Sequence, residues 1–401
     1  MEEPSLFSKI LKKKPTLLSV LIIALSIFIA IFGYCLAPDS TPDANEQSPL
    51  IALQNPGFKV TMLKIPKRQN IEVVSWFSKI FSGAANDFNY VPIVDFKIQN
   101  DSVYVSKFGG IDPTNNNFLK GKPQRFHILE VAQKISSKND SIIISGDGFN
   151  YYNTDNILTH ISRSQVLSRL NAAQIQKTFL FGTDNFGRDI FSRLILGVRV
   201  SLFVGLIAVV ISLTLGIFLG ALAGYVGGST DSIITLLINV VWSIPTILLV
   251  FAIILVFGRG IGIIFLAVGL TMWVDVARLV RGQVLALRNI PYIEAARSMG
   301  FSSARIIIKH ILPNILGPVM VLAASNFASA ILIESGLSFL GFGIQPPTPS
   351  WGTMLNENYG FAISGKVFLA LAPAGAIVIM VLAFNLLGNG VRDALDIRIK
   401  E

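Results

Sequence analysis

The sequence predicts an all-α polytopic membrane protein with six transmembrane helices, interrupted by an inserted extracytoplasmic α+β domain. Three observations predict it. Of 401 residues, 52% are hydrophobic and only 14% are charged, against roughly 25% charge in soluble domains. Six apolar runs approach the ~20 residues that a helix needs to cross a bilayer. Between the first and second runs lies a long polar segment whose short β-branched and aromatic stretches read as strands.

The first run covers 16–37. It is longer than the ~7–15 apolar residues of a signal peptide, so a retained span is expected. Tyr34 immediately before Cys35 also fits poorly with a lipoprotein cleavage site. The second span lies within 200–230 and the third within 232–258, both without a charged residue. The fourth covers roughly 260–280, the fifth 311–333 and the sixth 367–391. Lys9, Lys12, Lys13 and Lys14 precede the first span, and basic flanks mark the cytoplasmic side. Alternating from there puts Arg278, Arg281, Arg288, Arg297, Arg305 and Lys309 in the cytoplasm, together with Arg392, Arg398 and Lys400. Three basic clusters thus agree on cytoplasmic N- and C-termini. In the second span, Gly216, Gly220 and Gly224 share one helix face, which lets another helix backbone come close. Pro245 and Pro318 are expected to kink the third and fifth spans.

The outer segment, 38–178, opens on the loop Pro38-Asp39-Ser40-Thr41-Pro42. Strands are expected at 59–63, 90–94, 102–105 and 141–145, and a helix at 164–174, where Val166, Leu167 and Leu170 recur at helical spacing. A segment of this length can hold its own core. It shows no arrangement of nucleophile and base, which points to a structural or docking insert. The division is therefore 1–37 for the N-terminus and first span, 38–178 for the insert, and 179–401 for the remaining membrane core.

Several function classes are excluded. The net charge of +9 is accounted for by cytoplasmic loops, and no aromatic-basic module for nucleic acid is present. Cys35 is the sole cysteine, so no internal disulfide forms. His127, His160 and His310 lack the spacing of metal ligands, and no cofactor motif is found. No Gly-x-x-x-x-Gly-Lys-Ser/Thr run is present to cradle a phosphate.

The polar hairpin at 282–314, between the fourth and fifth spans, is the most informative stretch. Pro291 suits a first helical turn, and Glu294 places an anion near the positive end of that helix. Ala295 and Ala296 are strong helix formers with almost no side chain, and Gly300 can adopt the left-handed conformation that ends a helix. Ser302 or Ser303 caps the next helix, and Leu312-Pro313 marks the turn into the fifth span. A plain interfacial loop explains the Ile and Arg content. It does not require Glu-Ala-Ala six positions before a Gly and Leu-Pro thirteen positions after that Gly.

That spacing resembles the EAA motif of ABC-importer permeases. Neighbouring motifs extend the resemblance. Ala277-Arg278-Leu279-Val280-Arg281-Gly282 leads into the hairpin, and Gly182-Thr183-Asp184-Asn185-Phe186-Gly187-Arg188-Asp189 precedes the second span. Leu337-Ser338-Phe339-Leu340-Gly341 runs on through Gln345-Pro346-Pro347 to Ser350-Trp351-Gly352, and Asn385-Leu386-Leu387-Gly388-Asn389-Gly390 lies near the end. Together they are similar to the C-type permeases of the dipeptide/oligopeptide/nickel importers, over the first span and about 179–401. The outer segment departs from that family by its length, which bears on the substrate more than on the mechanism.

The resemblance implies a type I ABC-importer permease fold in a bacterial inner membrane and no enzymatic activity on this chain. It implies two ABC ATPase subunits, a paralogous permease, an extracytoplasmic substrate-binding protein and membrane lipid as partners. Glu294, Ala295, Ala296, Gly300, Leu312 and Pro313 would couple to the ATPases, the alanines allowing close approach. Gln345, Pro346, Pro347 and Trp351 are candidates for gating or for docking the binding protein, with Trp351 as an anchor. Asp275 and Arg278, one helical turn apart, are expected to form an intramembrane ion pair, and Glu334 to pair within the bundle. Peptides are the first expectation for cargo, with nickel chelates and other small solutes behind. The competing classes are a membrane sensor or scaffold and an ion-driven carrier. The first wants a cytoplasmic signalling domain, and the second wants several ionisable groups along a path.

Overall fold

The computed structural model describes residues 13–71 and 74–395. Lys9, Lys12, Arg398 and Lys400, used above for orientation, lie outside the described residues. The chain divides into two compact units. One comprises 32–195 with 360–369, and the other 1–31, 196–359 and 370–401.

The first of these units is built on two antiparallel sheets. Its strands are β1 (Phe58–Pro66), β2 (Phe88–Gln99), β3 (Ser102–Ile111), β4 (Phe118–His127), β5 (Ile142–Ser145), β6 (Gly148–Tyr152), β7 (Leu158–Ser162) and β8 (Gln174–Phe179). The larger sheet runs β4-β3-β2-β1-β8 and the smaller β5-β6-β7. β1 is flanked by β2 and β8, with Thr61 opposite Ile93 on one side and Gln176 on the other. Its alternation serves two cores. Phe58, Val60 and Met62 join Ile51, Phe108 and Phe179, whereas Leu63 joins Ile93, Val103, Leu129 and Phe149. The strand was visible at 59–63 because Val60 and Met62 alternate with Lys59 and Thr61 before Leu63.

Four strands escape that reading. β4 contains Lys120, Gly121, Lys122 and Pro123, and it lies at the sheet edge, where lysine and proline deter pairing with another chain. β8 is the opposite edge and exposes Gln174, Gln176 and Thr178. β6 and β7 are short and mixed. Of the helices in this unit, α2 (Trp76–Ser82) and α3 (Ile128–Ala132) are short. α4 (Arg163–Ala172) starts one residue before the expected helix and ends two residues earlier. It begins at a reciprocal capping box between Ser162 and Gln165, which satisfies two backbone N–H groups.

The other unit is helical. It holds α1 (Lys14–Leu36) up to residue 31 and α5 (Ile190–Val226) from residue 196. α6 (Gly228–Trp242), α7 (Thr246–Phe257), α8 (Ile261–Leu287), α9 (Pro291–Ser298), α10 (Ser303–Ile306), α11 (Leu312–Phe339), α12 (Trp351–Ile363) up to residue 359 and α13 (Phe368–Leu395) from residue 370 follow. Among the described residues, five helices are long and apolar enough to span a bilayer, and α6 with α7 forms a broken pair bent by 90°. The expected third span is therefore not one kinked helix. Pro245 has no N–H and excludes helical geometry from the residue before it, so the chain leaves α6 at Ser243 and restarts after Pro245. Pro318, in contrast, lies inside continuous α11.

The glycine face of α5 packs against α8. A Cβ on Gly220 would stand 2.5 Å from the Ala277 carbonyl oxygen, and one on Gly224 would stand 2.9 Å from that of Arg281. Glycine is thus the condition for this backbone contact. Asp231, which lies between the second and third expected spans, fixes α6 to α8 by a bidentate pair with Arg281 at 2.5 and 2.7 Å.

Candidate functional site

The hairpin forms two helices on a rigid base. Pro291 opens α9 and Gly300, at φ +79°, closes it. Of the two serines expected to cap the next helix, Ser302 does so by accepting from the Arg305 N–H. Ile293 and Ala296, three apart on α9, point inward. They join Val276, Val280 and Val284 of α8, Ile306, Ile311, Ile315 and Val319 of the following arm, and Ala221 of α5 in one core. Glu294, Ala295, Arg297 and Met299 face outward, with Met299 66% exposed.

This corrects the role expected for one alanine. Ala296 is 2% exposed and packs inside its own chain, because residues three apart share a helix face. Ala295 alone of the pair presents a bare surface. Met299 was missed, although a methionine in a polar loop is the signal for an adaptable apolar contact.

Leu312-Pro313 does not turn the chain. TM-length helix runs without interruption from Ser303 to Phe339. A π turn at Ile307–Ile311 precedes Pro313, and the Leu312 N–H donates to the Ile307 carbonyl. Proline at position 313 cannot donate to residue 309 and its ring crowds that carbonyl. The wider π turn accommodates it and keeps the helix running. Further bonds tie the hairpin to its surroundings. Arg288 donates to the Gly224 carbonyl at 3.1 Å, Asn314 donates to Tyr292 Oη at 3.1 Å, and Arg297 lies 5.6 Å over the Tyr225 ring.

The loop after α11 has an exposed tip at Gln345, Pro346 and Pro347 and a buried root. Trp351 belongs to the root. It is 2% exposed and packs against Gly197, where a Cβ would stand 2.8 Å from the ring. It is therefore no free anchor for a partner. The root also buries Glu334, which accepts from Ser338 Oγ at 2.6 Å. Ser338 Oγ accepts from the Ile344 N–H at 3.2 Å and meets Ser350, which bonds Thr353. Among the described residues, the partners of Glu334 are hydroxyls rather than a cation.

The expected pair of Asp275 with Arg278 is likewise not formed. The Arg278 guanidinium lies 4.0 Å over the Trp242 ring. The indole face, delivered by the end of α6, competes for that cation. Both residues are exposed and line an open cavity of about 770 Å³ with Gly317, Pro318, Ser325 and Arg392.

The Gly-Thr-Asp motif proves to be a folding element of the sheet-containing unit. Asp184 is buried and accepts from the Phe186 and Arg188 N–H groups at 2.9 Å each and from Arg188 Nε at 2.6 Å. Thr183 Oγ1 accepts from the Gln54 N–H at 2.9 Å and donates to the Ile51 carbonyl. Asp189 accepts from the Ser192 N–H at 3.1 Å. Burial holds the Asp189 carboxyl above its ordinary pKa. Among the described residues, no three His, Cys, Asp or Glu side chains gather to hold a metal.

Residues 216–401 match the family model described as binding-protein-dependent transport system inner membrane component. The dipeptide transport system permease protein DppC of Bacillus subtilis (strain 168) is 43% identical over 220 residues, covering 55% of this chain and 69% of that protein. The oligopeptide transport system permease protein OppC of Escherichia coli (strain K12) is 42% identical over 226 residues, 56% of this chain and 74% of that one. The glutathione transport system permease protein GsiD of Pectobacterium atrosepticum is 42% identical over 232 residues, 58% and 76% respectively. A solved structure of the inward-facing MetNI methionine ABC transporter aligns with 50% of this chain and 96% of its own, at 20% identity and a TM-score of 0.43.

Proposed function

This chain belongs to the binding-protein-dependent transport system inner membrane components, as a permease subunit of an ABC importer, and from that premise we propose that it forms half of a pathway for short peptides. The relatives named for dipeptide, oligopeptide and glutathione transport support peptides over nickel chelates or other small solutes. The membrane core would be 179–401 together with the first span, with 38–178 as an insert outside the membrane. The bent α6–α7 pair counts as one span in this reading, which gives six spans with both termini in the cytoplasm of a bacterial cell.

One observation carries the mechanism: the hairpin is exposed on one face and built into the spans on the other. Glu294, Ala295, Arg297 and Met299 offer the outward face. Ile293 and Ala296 lock the inward face to α5, α8 and α11. Two ABC ATPase subunits, closing on ATP, would grip the outward face, with Glu294 meeting a basic or donor group and Ala295 permitting close approach. Gly300 would hold the helix end in place. The displacement would pass through the shared core into the spans and through Leu312 and Pro313 into α11. The bundle would then exchange between outward and inward openings, a two-state element biased by nucleotide.

The second half of the pathway is a paralogous permease. Asp275 and Arg278 are exposed on α8, a helix long and apolar enough to cross a bilayer, and charges on such a helix are found where they face a partner or an aqueous path. The cavity that they line is the proposed pathway face. An extracytoplasmic binding protein would deliver cargo, with Gln345, Pro346 and Pro347 as its gating or docking loop and the insert as added docking surface.

The test is reconstitution of the complex in proteoliposomes with labelled di- and tripeptides. Uptake is expected to need both ATP and the binding protein, and a cysteine at Glu294 is expected to cross-link to an ATPase subunit. Peptide uptake without ATP, or a hairpin that cross-links to no ATPase, would refute the reading.

A further inference from the structure

The sheet-containing unit carries an apolar patch that its own cores leave uncovered. On α2, Trp76 is 67% exposed, Phe77 69% and Phe81 60%. The Trp76 and Phe77 rings meet edge to face at 5.3 Å. Ile80 alone on this helix turns inward. Three large aromatic side chains side by side on a short surface helix form the kind of patch that marks an interaction site.

The position of α2 identifies what covers it. Gly83 ends the helix at φ +73°. A Cβ there would stand 2.8 Å from the Tyr34 ring and 2.7 Å from the Ser40 carbonyl oxygen. The Ala84 N–H donates to that same carbonyl at 3.0 Å, and the Asp43 N–H donates to Tyr34 Oη at 3.1 Å. Tyr34 lies in the last turn of α1, a membrane-spanning helix. The patch is thus fastened to the last turn of α1, at the depth where a spanning α1 would leave the hydrocarbon. Tryptophan and tyrosine favour this depth, because an apolar ring with a polar edge suits the boundary between acyl chains and headgroups. Lys79, also exposed on α2, adds a cation that anionic headgroups attract.

We propose that α2 is an interfacial membrane anchor: Trp76, Phe77 and Phe81 enter the headgroup region of the bilayer beside the end of α1, with Lys79 at a lipid phosphate. The occupant is lipid rather than protein, because the patch adjoins the last turn of α1, where Leu36 is also exposed. The anchor holds the insert to the bilayer independently of any cargo. It rests on α1 spanning the membrane, and its outer-leaflet placement rests on the topology proposed above.

The test uses the whole importer complex in nanodiscs of phosphatidylcholine and phosphatidylglycerol. In a Cys35→Ser background, bimane is attached at Trp76→Cys, or at Asn115→Cys on an exposed turn as control. The Trp76 site is expected to lose several-fold more emission than the control to lipids with a doxyl group near the headgroup. It should lose less to doxyl near the acyl terminus, and it should be shielded from aqueous iodide. Equal iodide access at both sites without lipid quenching would overturn the proposal. So would shielding that appears only after the binding protein is added. Labelling of Asn115→Cys in intact cells by an impermeant maleimide reports the side of the membrane, so that a topology error is told apart from a missing anchor.

Discussion

Two adjacent alanines in the hairpin are expected to fail in opposite ways. Ala296 is enclosed by Ile293, Ile306 and Ile311. Tryptophan there must displace packed neighbours, and overpacking of a filled core costs about 1–3 kcal/mol. Ala295 faces outward, and surface substitutions of that kind stay within roughly 0.5 kcal/mol. Ala296→Trp should therefore lower the melting temperature of the detergent-solubilised permease, followed by fluorescence-detected size exclusion. Ala295→Trp should leave it unchanged. In the reconstituted complex the order reverses in meaning. Ala295→Trp, stable by itself, should reduce binding-protein-stimulated ATPase activity and transport at least tenfold, which corresponds to about 1.4 kcal/mol of lost docking or coupling. If Ala295→Trp transports normally while the protein carrying Ala296→Trp melts like the parent, the assignment of inward and outward faces is wrong and the coupling argument falls with it.

Other substitutions probe single physical terms. Gly300 has open space around its missing Cβ but holds φ +79°. Gly300→Ala should cost about 1–2 kcal/mol of backbone strain, read as faster hydrogen exchange in the hairpin, and Gly300→Asn should cost less. Asp184→Ala removes the carboxylate that buried Arg188 meets at 2.6 Å, and breaking such a pair costs about 3–5 kcal/mol. The expected outcome is loss of the folded complex on size exclusion, whereas Asp155→Ala on an exposed turn should have no such effect. His127 caps α3, its Nδ1 accepting from the Leu129 N–H at 3.3 Å. Burial depresses its pKa, against the opposing pull of Asp101 and Glu130. The unfolded chain thus takes up this proton first, and stability is lost as pH falls below about 6.5. His127→Asn keeps a capping acceptor without the titration, so its exchange rates near α3 should stay flat where those of the parent rise.

The membrane core was legible because its signals are repetitive and strong. Apolar length located five long helices but not the break at Pro245, and Pro291, Gly300 and Ser302 announced both hairpin helices through their terminal chemistry. Contacts that depend on three-dimensional competition were not legible. Arg278 has an acid one turn away in sequence, yet Trp242 reaches it from a different helix. Trp351 reads as an anchor until Gly197 is seen to make room for it. Ala295 and Ala296 are chemically identical, and only the packing of Ile293 tells their faces apart. In the insert, the edge strands hid because protection against unwanted pairing removes the very residues by which strands are recognised.

The unbroken helix from Ser303 to Phe339 has a mechanical consequence. At about 1.5 Å per residue, its 37 residues make a bar of about 55 Å. Tilting such a bar by about 5° about its Ser303 end would sweep the Phe339 end sideways by about 5 Å. Its Phe339 end carries Glu334 and the root of the proline loop, so a small displacement at the hairpin becomes a larger swing at that loop. A pivot inserted midway would dissipate that stroke, and the proline at the base is tolerated because the π turn beside it absorbs the missing bond without becoming a joint.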